Sequence, residues 1–410
     1  MENINYLINF DRIYGQLTPS PPKIRNLQSN YMMNSHLQIL QNQIVERQEN
    51  GLDRSLISVN HLIDFCSNDY LGLAKNQTLA DKIQADFNQL KSNLTSINGS
   101  TGSRLISGQS VQIEQFERKC AEFHQAEASL LFSSGYDANV GLISAVAQKD
   151  QVVFCDQLLH ASLIDGLRLS KAERKIFAHN DLADLEKLLS EYPIGTPKWI
   201  VVESVYSMDG DMAPLRELVH LKNKYNAEII LDEAHAGGVY GPDGNGLAVE
   251  MDIEKEIFAR VITFGKSWGN AGAVVLGSQT LIDFLINFAR PFIYSTAPSP
   301  HHISSLSTTL EWLKTEFDLR KKLKENIDFF IQHSKSSHWG PSKTAIQTFF
   351  ISGNQLVKKK ASELQKAGFA VKAIVYPTVP KGEERIRITL NSLTKKEDIL
   401  ALIKTMETHE

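Results

Sequence analysis

Cysteine is scarce in this chain, and only Cys66, Cys120 and Cys155 occur among its 410 residues. They lie far apart without a C-x-x-C pair, which excludes the disulfide framework typical of small secreted domains. The first residues, MENINYLINFDRIYGQL, carry charges within their apolar stretch and lack a small-residue cleavage site. They fit neither a signal peptide nor a membrane anchor, so we predict a cytoplasmic protein with reduced thiols.

An excess of charge of one sign is also missing. Forty-three basic residues face 47 acidic ones, for a net charge of -4, and 42% of the residues are hydrophobic. These are ordinary values for a soluble globular protein, and they indicate neither a nucleic-acid nor a membrane partner. The histidines show no ligand spacing, so we predict no metal site.

The length predicts more than one domain, because single compact domains seldom reach 410 residues. The proline-rich run TPSPPK at residues 18–23 separates the start of the chain from a helical pattern that begins at Asn34 and extends to Gln48. We predict four segments: an extension of unknown role (1–33), an amino-terminal segment of helix and short strands (34–75), a large cofactor-binding domain (76–300) and a small carboxyl-terminal α/β domain (301–410).

Helical and short apolar runs alternate through the middle of the chain. Between about residues 110 and 275 the apolar runs are SLLF, VVF, KWIVV, EIILD and RVITF, which predicts a mostly parallel sheet covered by helices on both faces. The last hundred residues predict a charged helix at 310–333, strands near 346–351, 369–374 and 385–390, and a closing helix.

Polar residues follow three of these apolar runs, in WIVVES-VYSMDGD, EIILDEAHAGG and VITFGKSWG. Ligand sites of open α/β sheets collect at the carboxyl ends of the strands, so Ser207, Asp232, His235 and Lys266 are expected to converge. A lysine amine beside a carboxylate that keeps a pyridinium nitrogen protonated is the arrangement that pyridoxal phosphate (PLP) requires. Taken alone, each residue also fits a structural role, such as a solvated lysine or a turn cap.

Two further stretches contain candidates for binding the cofactor. Ser134, Gly135 and Tyr136 join a strand to a helix, where free backbone N–H groups bind phosphate, although an ordinary turn fits the pattern equally well. His160 follows the strand VVF, where its ring would either stack on a cofactor or begin a helix.

Strict alternation in GEERIRITL puts Arg385 and Arg387 on one face of a strand. One of them could bind a carboxylate through two hydrogen bonds. The alternative is that both arginines lie on a solvated outer face.

Eight motifs together carry a resemblance to a known family: FCSNDYLGL, GSTGSRLISG, SSGYDAN, HASLIDGLRLS, YSMDGD, LDEAHAGGVYG, TFGKSWGNAGA and YPTVPKGEERIRITL. The chain resembles the α-oxoamine synthases, fold-type I PLP-dependent transferases, from about residue 34 to the end. The resemblance implies a large domain with a mostly parallel central sheet and a smaller carboxyl-terminal α/β domain.

The resemblance also implies catalytic roles. Lys266 would hold PLP as a Schiff base and move the substrate's proton, Asp232 would contact the ring nitrogen, and His160 would stack on the ring. Ser207 and His235 would contact the ring hydroxyl.

The same resemblance implies which residues bind the phosphate and the substrate. The backbone at Ser134, Gly135 and Tyr136, together with Thr263, would bind the phosphate, and Thr296 would reach it from the neighbouring subunit of a homodimer. The residues implied for binding the amino-acid carboxylate and substrate are Asn68, Arg387 and Arg54.

The reaction implied is a decarboxylative condensation of an amino acid with an acyl thioester. FARPFIYSTAPSP and YPTVPKGEERIRITL are most like those of the family member that joins L-alanine to pimeloyl-CoA or a pimeloyl carrier protein in biotin biosynthesis. A member that uses glycine and acetyl-CoA or succinyl-CoA is the alternative. Trp268, Asn270 and Ala271 stand where relatives commonly have Phe or Leu, Val and Ser.

Other classes of protein fit less well. Residues 265–269 match the G-x-S-x-G elbow of α/β-hydrolases, with Ser267 as nucleophile, but no later histidine lies in a recognisable motif. A nucleotide-binding P-loop fails because Arg260 stands where its first glycine is needed. A catalytically silent protein of the same fold would keep the fold without the chemistry.

Overall fold

The computed structural model describes residues 34–59 and 61–408. The chain divides into two units, residues 1–54 and 55–410. In the first unit, helix α1 spans Ser35–Glu49, and the side chain of Asn34 caps it by accepting a hydrogen bond from the backbone N–H of His36. This confirms the predicted helix. The predicted extension, residues 1–33, lies outside the described residues.

The second unit is built on a seven-stranded sheet with the order β2-β8-β7-β6-β5-β3-β4. Only β8 runs antiparallel to its neighbours, so the sheet is mostly parallel, as predicted. The apolar runs form central strands because their side chains are buried on both faces. The strands are β2 (Ala128–Phe132), β3 (Val152–Asp156), β4 (Glu173–Phe177), β5 (Lys198–Glu203), β6 (Ala227–Asp232), β7 (Ala259–Thr263) and β8 (Ala273–Gly277).

Helices cover this sheet, and most of them begin at a polar capping side chain or a proline. Ser134 caps α4, and His160 caps α5. The helices are α2 (Gln77–Leu90), α3 (Val111–Phe123), α4 (Gly135–Val146), α5 (Ala161–Leu169), α6 (Leu182–Ser190), α7 (Leu215–Tyr225), α8 (Leu247–Glu250), α9 (Gln279–Phe288), α10 (Arg290–Ile293) and α11 (Pro300–Leu313).

Two smaller sheets complete the second unit. One is antiparallel with the order β11-β12-β9, and the other pairs β1 with β10. These strands are β1 (Ile63–Asp64), β9 (Ile346–Phe350), β10 (Phe369–Ala370), β11 (Lys372–Ile374) and β12 (Arg385–Thr389). The remaining helices are α12 (Phe317–His333), α13 (Asn354–Lys366) and α14 (Lys396–Glu407).

The predicted charged helix is wrong in its bounds. The expected helix 310–333 is two helices, because α11 ends at Leu313 and α12 begins at Phe317. The turn between them contains ordinary helix-compatible residues and no proline, so the pattern alone does not reveal it. The predicted domain division at residues 75 and 300 stays a prediction.

None of the described helices is both long enough and apolar enough to span a membrane. The carboxyl ends of β2, β7, β6, β5 and β3 meet at one edge of the large sheet, because all five run in the same direction. The loops after these strands are therefore brought together.

Candidate active site

A cavity of about 360 Å³ opens at this edge of the large sheet. The structure brings eight of the predicted residues together in its wall: Ser134, Gly135, Tyr136, His160, Asp232, His235, Thr263 and Lys266. Asn139, Ser162, Glu203 and the loop Asn270–Gly272 also line it.

Lys266 lies in a tight hairpin between β7 and β8. The backbone N–H of Phe264 donates to Gly272 at 2.9 Å, and that of Asn270 donates back to Phe264 at 2.9 Å. Burial lowers the pKa of the Lys266 amine, an effect that the carboxylates of Asp232 and Glu203 oppose. A lower pKa enlarges the fraction of neutral, nucleophilic amine.

Asp232 ends β6 with only 4% of its surface exposed. One carboxylate oxygen accepts from the side-chain amide of Asn139 at 2.7 Å, and the other accepts from the backbone N–H of Ala234 at 2.8 Å. Because both oxygens are held, the carboxylate keeps one orientation toward the cavity that it lines.

Two histidines line the cavity as neutral imidazoles. Burial, together with Lys266 and Arg387, holds the pKa of His235 well below its usual range. Its Nδ1 lies 2.5 Å from the hydroxyl of Tyr70. Burial and Lys266 also lower the pKa of His160, while Asp232 opposes them.

The start of α4 fits a phosphate group. Ser134 accepts the backbone N–H of Asp137 at 3.0 Å, so the helix starts at the cavity wall. A Cβ on Gly135 would lie 2.4 Å from Cγ2 of Thr263, so only glycine lets the helix start approach that side chain so closely. N–H groups of a first helical turn are donors that bind phosphate. The Thr263 hydroxyl donates to the carbonyl of Ala234 at a long 3.4 Å.

Arg387 is suited to binding a carboxylate. Its Nε donates to the carbonyl of Ser207 at 2.6 Å, Nη1 to the hydroxyl of Thr389 at 3.0 Å and Nη2 to the side-chain oxygen of Asn68 at 2.9 Å. Arg387 also forms a hydrogen bond with the side chain of Tyr70. An arginine has five N–H groups, and its guanidinium is a common partner of carboxylates.

The alternative that Arg385 and Arg387 lie on a solvated face is wrong. Arg385 is 1% exposed and forms ion pairs with Asp209 and Glu383, and Arg387 is 7% exposed. Both faces of β12 are buried, because Asp209 and Ser207, in the segment after β5, pack against this strand. The alternation of residues along one strand does not show that a segment distant in the sequence packs against its outer face.

Some predicted residues do not line the cavity. Beside the cavity, Arg387 donates to the carbonyl of Ser207 and to the side chain of Asn68. The hydroxyl of Tyr70 connects this group to the cavity, since it lies 3.4 Å from the side-chain oxygen of Asn68 and 2.5 Å from Nδ1 of His235. Thr296 is exposed and pairs with Ser103. Arg54 is exposed and belongs to the first unit. The assigned roles of these residues stay predictions.

Sequence reasoning missed four residues that hold the site together: Tyr70, Asn139, Ser162 and Glu203. All four lie inside or beside the motifs FCSNDYLGL, SSGYDAN, HASLIDG and WIVVES. Glu203 had the clearest signal, since it ends a strand as Asp232 does. Burial, with the nearby charge of Asp232, raises the pKa of Glu203 to about 8.

Ser267 is not placed to act as a nucleophile. Its side chain is completely buried, and its hydroxyl donates to the carbonyl of Gly237. A hydrolase nucleophile must reach a substrate and a base, so the structure disfavours the elbow interpretation.

The chain is similar to known proteins over most of its length. A family model described as aminotransferase class I and II matches residues 60–405. The 8-amino-7-oxononanoate synthase of Petrotoga mobilis is 37% identical over 84% of this chain and 87% of its own length. The corresponding synthase of Chromohalobacter salexigens is 38% identical over 86% of this chain and 91% of its own length.

Solved structures agree with the fold. The 8-amino-7-oxononanoate synthase of Francisella tularensis aligns with a TM-score of 0.71 and 27% identity, over 85% of this chain and 97% of that one. A serine palmitoyltransferase with PLP aligns with a TM-score of 0.82 and 25% identity, over 91% of this chain and 97% of that one.

Proposed function

This chain belongs to the aminotransferase class I and II family, and from that premise we propose that it is a PLP-dependent acyltransferase. It condenses L-alanine with a pimeloyl thioester of CoA or a carrier protein and releases 8-amino-7-oxononanoate, CO2 and the free thiol, in biotin biosynthesis. The observation that carries the proposal is the meeting of Lys266, Asp232 and the start of α4 in one cavity. Relatives of more than 35% identity named 8-amino-7-oxononanoate synthase support the choice of substrates.

The cavity residues divide among the parts of PLP. Asp232 is available for the ring nitrogen, His160 for the ring face, and the start of α4 with Thr263 for the phosphate. We assign Ser207 and His235 to the ring hydroxyl. When bound, PLP accepts the electron pair that is left on the amino acid's Cα as a proton or CO2 departs.

Lys266 has two tasks in this proposal. Its amine binds the cofactor covalently, and after substrate displaces it, the free amine takes the Cα proton of alanine and later returns one. The lowered pKa supports both tasks, because a neutral amine is needed for nucleophilic attack and for accepting a proton.

Arg387 and Asn68 hold the alanine carboxylate in this arrangement, at the side of the site that Tyr70 and His235 connect to the cavity. The alanine carbon then attacks the thioester carbonyl, the thiol leaves, and the carboxylate is lost as CO2. Arg54 is proposed as a further substrate contact.

We also propose a homodimer in the cytoplasm. Leu105, Ile106 and Val111 are exposed large apolar residues that follow Ser103, the pairing partner of Thr296. A second copy of the chain that covers this patch would bring a Thr296 toward the phosphate end of its partner's site. Free thiols at all three cysteines agree with a reducing compartment.

The test begins with the purified protein incubated with PLP. We expect a visible absorbance band and a borohydride-reducible adduct on Lys266, both absent in Lys266→Ala and kept in the control Lys119→Ala, an exposed lysine paired with Glu311. A colourless wild-type protein, or an adduct that survives Lys266→Ala, would refute the proposal.

Substrate choice needs a second assay. We expect thiol release from pimeloyl-CoA or a pimeloyl carrier protein in the presence of L-alanine, and far less with glycine and acetyl-CoA or succinyl-CoA. Preference for glycine and a short acyl-CoA would keep the family and overturn the proposed substrates.

A further inference from the structure

We propose that Asn139, Ser162 and Glu203 are positioning residues that hold His160 in one orientation and in the neutral tautomer with its proton on Nε2. The inference rests on the proposed function, which places the ring of His160 over the cofactor. All three residues are at least 97% buried.

The tautomer follows from the contacts of Nδ1. The backbone N–H of Ser162 donates to Nδ1 of His160 at 3.2 Å, and the Ser162 hydroxyl lies 2.8 Å from the same atom. A backbone N–H is only a donor, so Nδ1 must be the acceptor and carry no proton. The proton of the neutral ring is therefore on Nε2.

Asn139 connects this arrangement to Asp232. Its side-chain amide nitrogen donates to the Ser162 hydroxyl oxygen at 3.0 Å and to Asp232 at 2.7 Å. The opposite amide orientation would turn an oxygen toward the carboxylate, so the orientation is fixed. Ser162 then accepts from Asn139, and its own proton is free to be donated to His160.

Glu203 holds the backbone of the same histidine. Its side-chain oxygen accepts the backbone N–H of His160, the residue that caps α5. His160 is thus fixed through its ring by Ser162 and through its main chain by Glu203. The cofactor-ring partner Asp232 and the cofactor-face residue His160 belong to one chain of hydrogen bonds.

The charged groups around His160 explain why its ring must be kept neutral by its hydrogen bonds. Asp232 raises the pKa of His160, whereas burial and Lys266 lower it, and the carboxyl of Glu203 and the ring of His235 also line the cavity. Donors at Nδ1 oppose protonation there, which keeps the ring neutral beside a carboxylate. Loss of the Ser162 hydroxyl removes one donor at Nδ1 and is expected to raise the pKa of His160, while the backbone N–H of Ser162 stays in place.

The experiment uses the whole protein labelled with 15N-histidine and recorded without PLP. His160→Asn assigns the His160 signals among the 12 histidines. In the wild type we expect the Nε2–H tautomer alone. In Ser162→Ala and Asn139→Ala we expect the Nε2–H tautomer to be kept, because the backbone N–H of Ser162 remains at Nδ1, and a His160 pKa higher by about half a unit or more.

The matched control is Ser144→Ala, which removes a serine hydroxyl that bonds only to Val140 within α4. It should leave the His160 signals unchanged. Asn139 lies on α4 and Ser162 on α5, so Asn139→Ala still tests the inference if Ser162→Ala does not fold. An Nδ1–H tautomer in the wild type, or a wild-type His160 pKa in both variants, would overturn the inference.

The result is separable from the proposed function. If wild-type protein forms no PLP adduct, the proposed function fails, while the tautomer measured without PLP still stands or falls by itself. If PLP binds and the variants leave His160 unchanged, only the positioning inference fails.

Discussion

Lys266 and Arg387 are the two basic residues assigned to the proposed chemistry, and their surroundings prepare them for different tasks. Burial lowers the pKa of Lys266, so its amine is ready to lose and regain a proton. Arg387 is held by hydrogen bonds to Ser207, Thr389 and Asn68, so its guanidinium is fixed before a carboxylate arrives. The Cα of the amino acid needs a group that accepts and returns a proton, and its carboxylate needs a binding group that is already fixed in place.

Arg387→Lys should separate binding from cofactor retention. A lysine cannot keep the three present bonds and still present two parallel N–H groups. We expect the KM for L-alanine to rise on the order of 100-fold while the PLP absorbance remains. Steady-state kinetics at saturating thioester measures it, and an unchanged KM would show that the carboxylate binds elsewhere.

The ion pairs of His179 predict that the protein loses stability at alkaline pH. Its ring lies 2.9 Å from Asp156 and 2.7 Å from Asp211, and these carboxylates outweigh burial and raise its pKa to about 10. The fold favours the protonated ring, so this contribution is complete below the usual pKa of 6.5 and declines until pH 10. His179→Gln should flatten that decline in urea unfolding measured from pH 6.5 to 10. An equal slope in both proteins would contradict the assignment.

Sequence patterns located the residues whose chemistry is local. Lys266, Asp232 and His235 follow apolar strands within short motifs, so they were predictable. Glu203 also ends an apolar strand, but its role was not predictable, because its partner is the backbone of His160, 43 residues away, and only the parallel pairing of β3 and β5 brings them together. Residues whose role is to hold others leave little trace in a single sequence.

At the scale of elements, the Lys266 hairpin packs against the amino-terminal part of the second unit. Gly269 has a φ of 60°, and a Cβ there would lie 2.3 Å from the backbone nitrogen of Ala74. The close approach places the turn after Lys266 directly against the short helix Leu73–Lys75. The hairpin is thus held at its tip as well as by its strands.

Gly269→Ala should displace the catalytic loop. A left-handed backbone and a clash with main-chain atoms together should cost about 2–4 kcal/mol of unfolding free energy and weaken PLP binding. Gly195→Ala is the control, since no atom lies within 4 Å of the added methyl. Denaturant unfolding and PLP titration of both variants measure the effect. Equal stability of the two would show that the loop has room to move.

Element types were more predictable than their ends. The apolar runs became the strands of the large sheet, but the predicted strand 369–374 is two strands in different sheets, β10 and β11. Val371 separates them where the chain changes partners from β1 to β12. Pairing partners are set by tertiary packing, which hydrophobic alternation does not encode.

At the scale of the molecule, the site joins two sheets of the second unit. The large sheet supplies the cavity, and β12 of the three-stranded sheet supplies Arg387, which contacts Ser207 after β5. The fold class followed from the alternating pattern, but this junction did not. It depends on contacts between residues 180 positions apart.

Ile106→Glu should test the assembly. Ile106 is 85% exposed, and a charge at the centre of a covered apolar patch would oppose pairing of two copies. We expect the variant to become monomeric in light scattering and to bind PLP more weakly, whereas Ile194→Glu, at a separate exposed isoleucine, should remain a dimer. A wild-type monomer, or a dimeric Ile106→Glu, would rule out this patch.

The reversed direction of β8 limits how the enzyme can evolve. Because the chain leaves β7, forms the Lys266 turn and re-enters the same sheet at once, adding or deleting a residue in 264–272 would shift β8 against both of its neighbours. Replacing a side chain within the turn, as at Trp268, Asn270 or Ala271, would leave that alignment intact. We expect natural variants of this hairpin to differ in composition and to conserve its length.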